Sequence, residues 1–231
     1  MNGHFFSIND KLSDMILAQP QILPTLARFD IALGFGDKSI GEVCKMHNVD
    51  PQFFLLISNV YSNQQYLPSI NEIKTTSMSG LVPYLKKSHH YYLNTRLPHI
   101  EEHLEHIANM LPNKKAKLAF TSFFQAYREE VMEHFNYEEV NVYPYIESLQ
   151  QNSDDRSYNI DTFLNSHGNL QETLNDLTQI IFKYLPQNDA SDDAIDVIFD
   201  ILQFSQDLYK HSLIEERVLA PYVKLLEHAR V

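Results

Sequence analysis

His134 and Glu138 stand four residues apart, as do His211 and Glu215. On a helix that spacing puts an imidazole and a carboxylate one turn apart on the same face. Each pair is followed by a second glutamate, Glu139 or Glu216, and then by a proline, Pro144 or Pro221, at the same distance. Two further histidines extend the match, because His90 precedes His134 by 44 residues and His167 precedes His211 by the same 44. The set His90, His134, Glu138 thus recurs as His167, His211, Glu215, a two-fold internal repeat whose repeated positions are metal-ligating residue types. All six donors are nitrogen or oxygen, and the absence of a thiolate argues against structural zinc and iron–sulfur clusters. Inward glutamates and histidines in a helical bundle suit a di-iron or di-manganese carboxylate site. Iron is the first expectation, with manganese or zinc open on residue type.

The flanking residues say where these groups point. One stripe runs Phe120, Phe124, Tyr127, Val131, His134, Glu138, Val142 and Tyr145. Another runs Val197, Ile201, Phe204, Leu208, His211, Glu215, Val218 and Tyr222, and a third runs Ile160, Phe163, His167, Leu170, Leu174, Leu177 and Ile181. His90 continues backwards from Leu93, Leu97, Ile100, Leu104, Ile107 and Leu111. Apolar residues at intervals of three and four mark the buried face of a helix, so all six groups are expected in the core. An unpaired buried carboxylate is costly by several kcal/mol, and two of them call for cations.

The elements that must carry these stripes are four long helices at about 80–111, 114–149, 159–185 and 191–229, joined by short connections. Short connections make sequential helices antiparallel neighbours, which predicts an all-α, up-down-up-down four-helix bundle over 80–231. Pro98 falls inside the first helix and should kink it, since proline lacks the backbone N–H. Residues 1–65 read as a small helical N-terminal domain, in which Asp50 and Pro51 mark an N-cap and a first-turn proline. Residues 66–79 read as a linker with a short ordered stretch.

With 231 residues and 44% apolar content, the chain can bury a sizeable core. A formal charge of −12 repels phosphate backbones and anionic lipid, so neither nucleic acid nor a membrane surface is an expected partner. The opening MNGHFFSIND lacks a signal-peptide pattern, no run approaches the length of a membrane span, and Cys44 stands alone. These features predict a cytoplasmic protein, with a homodimer allowed. Cys44 reads as a small buried residue. His99, His103 and His106, with Glu101, Glu102 and Glu105 between them, read as a solvated helix face with a weak capacity for metal. Tyr91, Tyr92, Tyr137, Tyr143 and Tyr145 crowd the same region as the six ligands and are candidates to pack the site or to hydrogen-bond its ligands, and Glu130 lies one turn before His134.

The stretches HHYYLNTRLP, HFNYEEVNVYP, FLNSHGNLQETL and HSLIEERVLAP resemble hemerythrin-like di-iron proteins, and in particular the repair-of-iron-centres family of iron–sulfur cluster repair proteins. The resemblance spans most of residues 80–225. It implies two iron ions bridged by Glu138 and Glu215, with His90, His134, His167 and His211 as terminal ligands. Residues 25–57 resemble that family's N-terminal domain but read Ala32-Leu33-Gly34-Phe35-Gly36 where the family carries an adjacent cysteine pair before its glycines. The implied function is repair of clusters damaged by nitrosative or oxidative stress, with damaged iron–sulfur proteins as partners and NO or O2 as small ligands. NO or peroxide reduction, or reversible gas sensing or carriage, are the alternatives.

Overall fold

The computed structural model describes residues 6–111, 114–151, 158–166, 170–184 and 192–229. Thirteen α-helices account for most of these, and among the described residues there is no strand beyond an isolated bridge between Lys11 and Ser39. They are α1 (Leu12–Ala18), α2 (Leu23–Arg28), α3 (Ile40–Met46), α4 (Pro51–Ser62), α5 (Ile70–Thr75), α6 (Leu81–Tyr91), α7 (Leu97–Met110), α8 (Lys114–Tyr137), α9 (Tyr143–Gln150), α10 (Ile160–Ser166), α11 (Leu170–Tyr184), α12 (Asp192–Ile214) and α13 (Ala220–His228). The all-α reading holds. No helix among the described residues is long and apolar enough to cross a membrane.

Local chemistry sets the N-terminal helices. Asp50 Oδ1 accepts from Phe53 N–H at 2.8 Å and Pro51 opens α4, as the sequence predicts. Ser39 and Glu42 form a reciprocal capping box on α3. The short ordered stretch expected within 66–79 is α5, capped by Ser69.

Three π-helical turns interrupt the long helices, at Tyr92–Arg96, Glu138–Val142 and Glu215–Leu219. Each begins six residues before a proline, namely Pro98, Pro144 and Pro221. A proline cannot donate to the carbonyl four residues back, and its ring collides with that carbonyl. Those carbonyls belong to Asn94, Val140 and Arg217, each inside a π turn, where the wider spiral relieves the clash. Pro98 is therefore accommodated without ending its helix. Asn94 and Asn141 donate side-chain amides to the carbonyls of His90 and Tyr137, four residues back, at 3.0 and 2.9 Å.

Two compact units make up the chain. One comprises Met1–Ser88, Tyr145–Ile160 and Lys210–Val231. Its core includes Phe54, Ile57, Val60 and Tyr84, with Phe29 packed on Phe53, Phe54 and Tyr84 at ring separations of 5.8, 5.0 and 4.7 Å. Arg217 donates to the carbonyls of Gln64 and Tyr66 at 2.7 and 3.0 Å, and Lys210 Nζ lies 4.5 Å from the centre of the Tyr61 ring. The Lys86–Glu147 pair is half-exposed on both sides, so it contributes at most about 1 kcal/mol and cannot be what holds the unit together. Cys44 is buried here, and burial first, then the charge of Asp50, pushes its thiol up to about 12. At neutral pH it stays a protonated thiol, which fits the expected packing role.

The other unit comprises His89–Pro144 and Asp161–Tyr209. Its core draws Leu97, Ile100, Leu104 and Ile107 from α7, Phe120, Phe124, Tyr127 and Val131 from α8, Leu174 and Leu177 from α11, and Val197, Ile201, Phe204 and Leu208 from α12. These are the predicted stripes, four helical segments closed on one hydrophobic core.

Candidate metal centre

Glu138 ends the regular part of its helix as the first residue of a π turn, and its side chain is fully buried. Its Oε1 lies 3.0 Å from His134 Nε2 and its Oε2 lies 3.0 Å from His89 Nε2. One carboxylate thus has an imidazole nitrogen on each oxygen. Tyr143 places its hydroxyl 3.1 Å from His89 Nε2 and 3.4 Å from Glu138 Oε2. Phe135 stacks on the His89 ring with centroids 4.0 Å apart and planes at 12°, and the buried Tyr92 ring stacks on Phe135 in turn at 5.8 Å. The surroundings are dry, so the charge of Glu138 must be met by protons on the imidazoles or by a cation.

His89 has a second partner. Its Nδ1 lies 2.9 Å from Glu139 Oε1, a carboxylate whose side chain is 43% exposed. An acceptor at Nδ1 favours a ring proton there, the arrangement that commonly backs a histidine bound to metal through Nε2. Glu139→Ala should weaken metal binding about 10–100-fold, while Glu139→Gln, whose carbonyl still accepts from Nδ1, should keep most of it. Metal titration against a competing chelator checks both.

His211 and Glu215 repeat the motif on α12 and the π turn after it. Both are buried, and His211 Nε2 lies 3.1 Å from Glu215 Oε1. His89 and Glu138 in one unit, and His211 and Glu215 in the other, are all buried and of the residue types that hold a metal ion. The donor set, imidazole nitrogen and carboxylate oxygen, fits iron and its borderline neighbours.

Glu138, Glu215 and His211 are in the core, and His134 is mostly buried. His167 lies outside the described residues. His90 differs from expectation: it is exposed, with Nδ1 3.0 Å from the Asn94 amide, and the neighbouring His89 is the buried one. The cause is the π turn at Tyr92–Arg96. A π turn holds one extra residue, which advances the helix by about 100°. Counting back from Leu97 in threes and fours reaches Leu93 and His90, whereas the buried sequence runs Leu97, Tyr92, His89. Pro98 was the available signal. Of the five tyrosines, Tyr143 reaches the ligands, while Tyr92 donates to Asp207 Oδ1 at 2.9 Å and Tyr145 to Glu227 at 2.7 Å.

None of the curated proteins matches the chain. The model of the hemerythrin HHE cation-binding domain matches residues 84–223, a span that takes in every residue of the buried group. Cation binding by that domain agrees with the buried histidines and glutamates, and a metal-binding role follows for this protein. With well over half its length matched, the chain belongs to the hemerythrin HHE cation-binding family.

Proposed function

We propose that this is a cytoplasmic di-iron protein that restores iron–sulfur clusters damaged by nitrosative or oxidative stress, acting by binding NO or O2 or by delivering iron. The observation that carries the metal half of this reading is Glu138, fully buried with an imidazole nitrogen 3.0 Å from each oxygen. His89, His134, Glu138, His211 and Glu215 hold the ions, with His167 completing the set on the strength of the repeat. Glu138 and Glu215 would supply the carboxylate ligands. The repair half is supported by the resemblance of HFNYEEVNVYP and HSLIEERVLAP to the repair-of-iron-centres family.

Iron, when bound, supplies reversible coordination of diatomic gases and one-electron chemistry. The side chains arrange the rest. Glu139 orients the His89 ring through Nδ1. The Tyr143 hydroxyl holds a proton beside His89 Nε2 and Glu138 Oε2. Phe135, stacked on His89, keeps bulk water from that side. Six side chains across two ions leave positions for an outside ligand or for release of iron. The damaged iron–sulfur proteins are the partners in this reading.

The test is reactivation of an NO-damaged iron–sulfur enzyme by purified protein. Wild type should restore activity and the Glu138→Ala/Glu215→Ala double variant should not. Full repair by the double variant sinks the proposal, and catalytic consumption of NO with an electron donor would move the reading to a reductase.

A further inference from the structure

We infer that His99, His103 and Asp200 form a second, surface metal site for a borderline divalent cation such as zinc, separate from the buried group. His99 and His103 lie one turn apart on α7, with ring centroids 4.6 Å apart. Asp200 comes from α12, and its Oδ2 lies 3.1 Å from His99 Nε2. One ligand atom from each of the three lies within 4.8 Å of the others. His106, the third histidine of the run, is not among them.

Three features make this more than three polar residues on a wet surface. The backbones are fixed, because Ile100 beside His99 and Ile201 beside Asp200 are both fully buried in one core. The carboxylate is oriented, because Arg96 Nη2 lies 3.1 Å from Asp200 Oδ1 and 3.2 Å from its backbone oxygen, leaving Oδ2 turned to the histidine. The site is wet enough for water to complete the coordination shell, with His99 exposed and His103 and Asp200 half-buried. Zinc sits about 2.0–2.2 Å from imidazole nitrogen and carboxylate oxygen, so a modest rotation of the exposed His99 ring brings the donors onto one ion. Two nitrogens and one oxygen select the zinc, nickel and copper class over magnesium and calcium, which prefer all-oxygen shells. The guanidinium of Arg96 repels a dication and keeps the affinity modest. A bound ion ties α7 to α12.

Zinc titration of the iron-loaded full chain against a chromophoric chelator tests this, with iron retention followed to show that the buried group is undisturbed. Wild type should take up one further zinc per chain, and zinc should raise its melting temperature. His103→Ala, which leaves the Arg96–Asp200 contact intact, should weaken that binding at least about tenfold and remove the thermal shift. Asp200→Asn should weaken it similarly, circular dichroism showing both variants folded. Equal zinc binding by wild type and folded His103→Ala, or none by wild type, overturns the site and leaves an ordinary His99–Asp200 ion pair.

Discussion

His89→Ala should strip the protein of metal, and His90→Ala should leave its metal content unchanged. The two residues are adjacent, yet His89 is fully buried with both ring nitrogens engaged, at 3.0 Å from Glu138 and 2.9 Å from Glu139. His90 is exposed and meets the Asn94 amide. Losing a group behind a metal ligand costs about 10–100-fold in affinity, so losing a ligand should cost at least that. Elemental analysis of both variants after purification without oxygen decides the matter. Metal lost in His90→Ala and kept in His89→Ala would mean that the π turn does not set the helix phase as described.

Removing metal from the wild type should lower its melting temperature substantially. A ligand that binds only the folded state, present at a thousandfold excess over its dissociation constant, stabilises by about 4 kcal/mol. For a chain of this size each kcal/mol moves the midpoint by about 2–4 °C, so chelation should cost about 8–16 °C. The sign follows from the buried carboxylates: without a cation, Glu138 and Glu215 keep their burial cost and lose their counter-charge. In Glu138→Ala/Glu215→Ala both the cost and the ion are gone, so added iron should no longer shift the midpoint. Calorimetry of wild type and double variant, with and without chelator, reads both effects. A wild-type midpoint indifferent to chelator would mean that the buried pairs are satisfied by protons alone.

Much of the fold was legible because helical periodicity reports burial directly. The stripe Phe120, Phe124, Tyr127, Val131 led to Glu138, and Val197, Ile201, Phe204, Leu208 led to His211 and Glu215, all of them buried. The part of each stripe that leads to these ligands lies on regular helix, ahead of the π turns that begin at Glu138 and at Glu215, so the phase was still true there. The reading that reached His90 started at Leu97 and crossed the π turn at Tyr92–Arg96, where an average of 3.6 residues per turn no longer applies. The equal 44-residue offsets pointed to the same position, because a chain position repeats whether or not the helix between is regular. Asp200 was not legible beside His99 for a different reason. They are neighbours only through packing of α7 on α12, and an i,i+4 count sees one helix at a time. Glu139 was visible as the residue after the motif, but its role depends on where His89 sits.

The central claim is that the buried histidines and glutamates hold iron, and the most direct measurement is a metal count on protein purified without oxygen. The account predicts about two irons per chain in the wild type, as di-iron bundles carry, and close to none in folded Glu138→Ala/Glu215→Ala. A correctly folded wild type that binds no metal, with or without added iron, would contradict it.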